Sequence, residues 1–102
     1  MSKFNFKLQS VLNLKTQMED HKKNEFGSAV QKLEKEKKIL NNIKLEKQKN
    51  INAFDNKLKS KAKIRTLREI NDYISLLGHK IELQKENVNK ASDIVDKKRE
   101  EL

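Results

Sequence analysis

Apolar residues recur along nearly the whole chain at steps of three and four, or sums of them. In the first half they are Phe4, Leu8, Val11, Leu12, Met18, Phe26, Val30, Leu33, Leu40, Ile43, Ile51, Phe54 and Leu58. In the second half the pattern is cleaner: Leu67, Ile70, Ile74, Leu77, Ile81, Val88, Ala91, Val95 and Leu102. This is the a/d seam of a heptad repeat, a narrow stripe that packs on one neighbouring helix. Polar residues hold some seam positions: Lys15, Lys22 and Lys47, then Gln84 and Lys98. Such residues weaken packing and can fix register or partner number. The chain has no proline and only two glycines in 102 residues, so it offers few places to turn. Sandwiches and barrels, which need many turns, are excluded. With no cysteine, so are disulfide scaffolds and zinc ribbons. The regular apolar spacing argues against disorder throughout.

Between the halves the pattern loosens. Residues Lys57 to Lys63 read Lys-Leu-Lys-Ser-Lys-Ala-Lys, a row of like charges that disfavours a tightly packed helix. Thr66-Leu67-Arg68-Glu69 follows, with the spacing of a capping box. The sequence therefore predicts an all-α fold, a long antiparallel two-helix coiled-coil hairpin forming one domain over residues 1–102. Helix one runs from about 4 to 59, the loop from about 60 to 66, and helix two from about 67 to 102. No glycine or proline marks the turn, and a single unbroken helix is the competing reading. Folding at the loop pairs Leu58 with Leu67 and brings Leu102 near Lys23. Residues Met1 to about Lys22 are then left without an internal partner, although they carry Phe4, Phe6, Leu8, Val11, Leu12, Leu14 and Met18. A stripe of that size normally meets something. The candidates are another protein, a second copy, or a further length of helix two. The ending Lys98-Arg99-Glu100-Glu101-Leu102 has no stop signal, as in a truncated helix.

The formal net charge is +9, and 21 of the 24 basic residues are lysine. The excess is local: Gln31–Lys63 holds eleven basic and four acidic residues, whereas Ile64–Leu102 holds eight of each. Charge alone invites a nucleic-acid reading. Arginines in register and an aromatic stacking platform are both missing from the sequence, so nucleic acid is not the expected partner. His21 and His79 lie far apart in the hairpin, and no phosphate-loop motif is present. The expectation is no catalytic residue, no metal, no cofactor and no small-molecule substrate. Met1–Lys7 does not lead into an uninterrupted apolar stretch, so no signal peptide is read there. The densest apolar run, Tyr73–Leu77, is about a quarter of a ~20-residue membrane span. The expected place is the cytoplasm. Phe26 and Phe54 fall on the seam and are expected in the core. Phe4 and Phe6 fall outside the paired region and are candidates for partner contact. Tyr73 stands one residue from the seam, where its ring can lie along the hairpin with a wet hydroxyl.

The opening Phe4-x-Phe6-x-Leu8-Gln9-x-Val11-Leu12-x-Leu14-Lys15, followed by a heptad helix rich in Glu, Lys and Gln, resembles the flagellar export protein FliJ family. So does Leu67-x-x-Ile70-x-x-Tyr73-Ile74-x-x-Leu77-x-x-x-Ile81-x-x-Gln84. The resemblance covers essentially all 102 residues, and the N-terminal block is its more specific part. It implies a non-enzymatic stalk of the flagellar type III export apparatus, similar in shape to the central stalk of rotary ATPases. Such a stalk sits at the cytoplasmic face of the flagellar base and meets the membrane only through partners. It inserts the end bearing both termini into the export ATPase ring and promotes ring assembly and activity. It also touches the export gate's cytoplasmic domain and binds export chaperones. Carried onto this sequence, the ring contact falls on Phe4, Phe6, Leu8, Val11 and Leu12, and the gate contact on Tyr73 and Leu77. At Lys80 and Gln84 the chain departs from the family's small and histidine residues. Members of the family are longer, with helix two continuing over the start of helix one. The alternatives from other classes are a homo-oligomeric structural coiled coil and a basic nucleic-acid-binding helix.

Overall fold

A computed structural model describes residues 2–102, and the side chains of residues 3–102. Two helices account for nearly all of it: α1 spans Ser2–Lys59 and α2 spans Ile64–Glu100. They fold back on each other into a rod about 90 Å long and 16 by 15 Å in section. The hairpin rather than the single unbroken helix is what this chain forms.

The turn is made without glycine or proline. Ala62 N–H donates to the Lys57 carbonyl at 3.0 Å, and Lys61 N–H donates to the Leu58 carbonyl at 3.2 Å. This pair of nested bonds is the Schellman ending of a helix, which needs one residue in the left-handed conformation. Lys61 supplies it, with φ of 56°. A side chain with a Cβ pays about 1–2 kcal/mol to sit there. Lys63 is extended, and its carbonyl accepts the first α2 bond, from Leu67 N–H at 3.1 Å. Helix two therefore begins at Ile64, three residues before the expected start. The Thr66–Glu69 spacing does not cap it: the N-cap is Lys63, with no side-chain cap bond. Glu69 instead pairs with Arg65 one turn away at 3.4 Å. The Schellman ending reverses the chain within four residues, so the helix is already running when it reaches Thr66.

The seam on α2 is the one the spacing predicts as far as Lys98; Leu102, expected to continue it, lies beyond the end of α2 and is 61% exposed. Leu77, Ile81, Gln84, Ala91 and Val95 are buried, and Leu67, Ile70, Ile74, Val88 and Lys98 are half-buried between and beyond them. The α1 seam differs in detail. It runs Phe26, Ala29, Leu33, Glu36, Leu40, Ile43, Lys47, Asn50 and Phe54, in alternating steps of three and four, all buried or half-buried. Val30 and Ile51 are half-buried beside it. Leu58, placed opposite Leu67 by the sequence, is instead exposed at the tip, because α1 ends one residue later and has no further turn to press it inward. The buried apolar core is thin: Ala29, Leu77, Ile81, Ala91 and Val95. Gly78 is not demanded by packing, since a methyl there would meet Lys47 Nζ at 3.6 Å, an ordinary contact.

Polar contacts hold the register. Gln84 Nε2 donates to the Glu36 main-chain carbonyl at 2.9 Å and to the Glu36 carboxylate at 2.5 Å. Lys32 Nζ takes the other carboxylate oxygen at 2.9 Å, and Asn87 Nδ2 donates to Gln84 Oε1 at 3.1 Å. Toward the tip, the Tyr73 hydroxyl donates to Glu46 across the hairpin. Toward the termini, Lys98 Nζ meets Glu25 at 2.9 Å, and the Arg99 guanidinium lies 5.8 Å from the centre of the Phe26 ring.

Candidate functional site

The clamp of Glu25, Phe26, Lys98 and Arg99 is where pairing ends. Beyond it α1 continues alone, and every described side chain from Lys3 to Asn24 is exposed. The overhang from Lys3 to Lys22 is about 30 Å of single helix. Phe4 and Phe6 are each 75% exposed, and Leu8, Val11, Leu12, Leu14 and Met18 are exposed with them. Met1, counted in the unpartnered stretch by sequence, lies outside the described residues.

Helical geometry divides the five proposed ring-contact residues. At 100° per residue Phe4, Leu8 and Val11 share one face, with Leu12 on its border. That face lies on the side from which Phe26 and Ala29 meet α2. Phe6 stands about 200° from Phe4, on the opposite face. Phe6 is alone there, since Gln9, Ser10, Asn13, Gln17 and Asp20 fill the rest of that face, so the overhang bears one apolar stripe with a single aromatic opposite it at the very end.

The two proposed gate-contact residues separate as well. Tyr73 is 37% exposed, with its hydroxyl held by Glu46. Leu77 is 1% exposed, the most completely buried side chain in the hairpin. It packs inside the seam and presents nothing to a partner. The exposed neighbours of Tyr73 are Leu76, Lys80 and Leu83, at steps of three, four and three. Sequence reasoning passed over Leu76 and Leu83. Their signal was present, because the same periodicity occurs twice in α2, offset by one residue: the Leu77 stripe forms the seam, as its spacing predicts, and the Leu76 stripe is left outside. Gln84 is buried on Glu36.

Charged groups along the pairing line have shifted ionisation. Lys98, first as a hydrogen-bond partner and then as a nearby charge, holds the Glu25 carboxyl below its usual 4.5. Lys32 and then Gln84 do the same for Glu36, against the opposing effect of burial. Lys98 is raised above 10.5 chiefly by its bond to Glu25, and Tyr73 above 10.0 chiefly by its bond to Glu46. For the two carboxyls the folded chain binds protons less readily than the unfolded one. Their stabilisation is present above 4.5 and is lost as pH falls through the lowered folded values. For Lys98 and Tyr73 the folded chain binds protons more readily, so their stabilisation is lost as pH rises above 10. The melting temperature should form a plateau between about pH 5 and about pH 10 and fall on both sides. A melting curve unchanged down to about pH 3 would show that these pairs carry no stability.

His21 Nε2 lies 2.7 Å from Glu25, exposed on α1, and His79 is exposed on α2. Among the described residues no group of three or more His, Cys, Asp or Glu could hold a metal ion, and no helix is long and apolar enough to cross a membrane. The family model of the flagellar FliJ protein matches residues 4–102. The chain belongs to the flagellar FliJ family. Membership makes it a component of flagellar protein export, and the two-helix hairpin with one bare end is the form it takes here. No curated protein and no solved structure matches the chain.

Proposed function

We propose that this chain is a non-enzymatic, cytoplasmic stalk of the flagellar export apparatus, which places its bare α1 end in the centre of the export ATPase ring and promotes the ring's activity. The observation that supports this most is the overhang. A single helix some 11 Å across, with one long exposed apolar stripe and aromatic side chains on both sides of its very end, suits entry into a ring opening. A side-by-side partner would need one apolar stripe and would leave Phe6 in water. The paired shaft has the opposite character, with charged residues over most of its surface.

In this reading Phe4, Leu8, Val11 and Leu12 face one side of the ring opening and Phe6 the other. The shaft links the ring to the export gate through Tyr73, with Leu76 beside it. Leu77 serves the contact from inside by fixing the backbone under Tyr73. Export chaperones bind the same shaft, and the membrane-embedded part of the apparatus is reached through the gate.

The test is the turnover of the cognate flagellar export ATPase with and without the chain. Stimulation is expected, and Phe4→Asp with Leu8→Asp should abolish it. Both positions are fully outside the paired region, so the helical signal of the variant should match the parent. Stimulation that survives both charges would place the ring contact elsewhere. A chain that forms dimers through the overhang and leaves the ATPase unaffected would favour the homo-oligomeric structural coiled coil.

A further inference from the structure

The hairpin tip carries a composition that neither the fold nor the stalk role requires. Residues 56–68 hold six cations, Lys57, Lys59, Lys61, Lys63, Arg65 and Arg68, and no anion. Arg65 has Glu69 at 3.4 Å, and among the described residues the other five make no ion pair. Two of the six suit the local helix, since Lys57 and Lys59 lie in the last turn of α1, where cations are favoured. Lys61, Lys63 and Arg65 do not. Lys63 and Arg65 stand at the N-terminus of α2, whose first turn holds no acidic residue, so they face the positive end of its dipole. Lys61 occupies the left-handed position of the turn, where glycine or asparagine fits with less strain. At each of these sites the residue is worse for the hairpin than a common alternative. Such local conflict marks a position kept for another purpose.

Apolar side chains stand among these charges. Leu58 is 55% and Ile64 71% exposed. They share one flank: Leu58 lies seven residues beyond Ile51, and Ile64 fourteen before Gly78, and Ile51 and Gly78 line the same surface hollow. The tip of a rod 16 by 15 Å in section thus presents two exposed aliphatic side chains among six cations, five of them without an ion pair among the described residues.

We infer that the loop end of the hairpin docks end-on against an anionic lipid surface, with Leu58 and Ile64 entering the headgroup layer and the six cations on lipid phosphates. Charge complementarity decides the sign of the surface, and the two aliphatic groups decide its kind. Insertion of apolar side chains together with interfacial lysines is how peripheral proteins hold an acidic bilayer. A nucleic acid would reward stacking aromatics, and the tip has none. This adds a direct lipid contact to a chain whose other membrane links run through partners.

The full chain is floated with phosphatidylglycerol/phosphatidylcholine vesicles and with pure phosphatidylcholine vesicles. Binding is expected to the anionic vesicles only, and to disappear at about 0.5 M salt. With each cation worth about fivefold, the triple change Lys59→Gln, Lys61→Gln and Lys63→Gln should weaken binding about a hundredfold. The same loss of charge on the shaft, at exposed Lys35, Lys37 and Lys38, should weaken it less than about threefold. Leu58→Ser with Ile64→Ser should weaken it at unchanged charge. Tryptophan emission should shift to the blue on binding for Ile64→Trp and stay unshifted for Leu14→Trp. All the substituted side chains are exposed, and the helical signal checks each fold. Equal losses from the shaft triple, a shift at Leu14→Trp in place of Ile64→Trp, or capture by duplex DNA or polyglutamate with none by vesicles would each overturn the inference.

Discussion

Leu77→Ala is expected to lower stability by roughly 3 kcal/mol, about 15 °C in melting temperature. Leu77 is 1% exposed in a rod whose buried apolar residues, among those described, number only five, two of them alanine. A two-helix section has no third layer, so a cavity opened there cannot be filled by another element. The helices can close it only by moving together locally, and the Glu36–Gln84 and Glu46–Tyr73 bonds on either side oppose that shift. The control is Leu76→Ala, one residue away and 48% exposed, which should change stability by less than about 0.5 kcal/mol. Thermal unfolding followed by the helical signal decides it. Equal effects at the two positions would mean that the seam does not run through Leu77. The result also bears on the proposed gate contact. If Leu77→Ala weakens gate binding and Leu76→Ala does so without loss of stability, the first acts through the backbone and the second by touch.

The buried polar layer should give the second large effect. Gln84→Leu leaves the Glu36 carboxylate, on a residue only 8% exposed, facing an apolar neighbour with Lys32 as its remaining partner. The melting temperature is expected to fall by about 10 °C. Glu36→Leu should cost less, because the Gln84 amide keeps its bond to the main-chain carbonyl at 2.9 Å. The double change to leucine should melt at or above the parent temperature, since an apolar layer replaces a desolvated charge. What it should lose is uniqueness. With the layer apolar, shifted pairings of α1 on α2 and pairing between chains lose their penalty, and the dimer fraction measured by light scattering should rise. A double variant that melts higher and stays a monomer would show that the Lys98–Glu25 and Tyr73–Glu46 contacts set the register by themselves.

Much of this architecture was legible in the residues. The steps of three and four from Leu67 to Lys98 named the α2 seam, including its polar members Gln84 and Lys98, because a heptad leaves one stripe on one side of a helix. The overhang was legible too, since helix one is longer than helix two by a count alone. Helix one was harder. Ala29, Glu36 and Asn50 are seam residues that hydropathy does not flag. Val30 and Ile51 are apolar neighbours that drew the stripe one position aside. The start of α2 was missed because Thr66-x-x-Glu69 is a local signal, and the Schellman ending at Lys57–Ala62 had already turned the chain. Leu77 was placed on the seam by spacing, which its burial bears out, and in a partner contact by family likeness, which matches positions and does not see which side of the helix is covered.

The sequence by itself determined that the chain is helical and which stripe of α2 forms its seam. Both are consequences of periodicity, which is a property of the chain alone. Tertiary structure decided which residues of α1 face that seam, so that Ala29, Glu36 and Asn50 line it and Val30 and Ile51 stand beside it. It decided that a glutamate could enter the seam, because only the facing Gln84 makes its burial tolerable. It decided as well that Lys61 takes the left-handed place in the turn and gathers the basic tip around Leu58 and Ile64. Each of these depends on what stands across the hairpin, some fifty residues away in sequence or at the far side of the turn. Spacing within one helix carries no record of that.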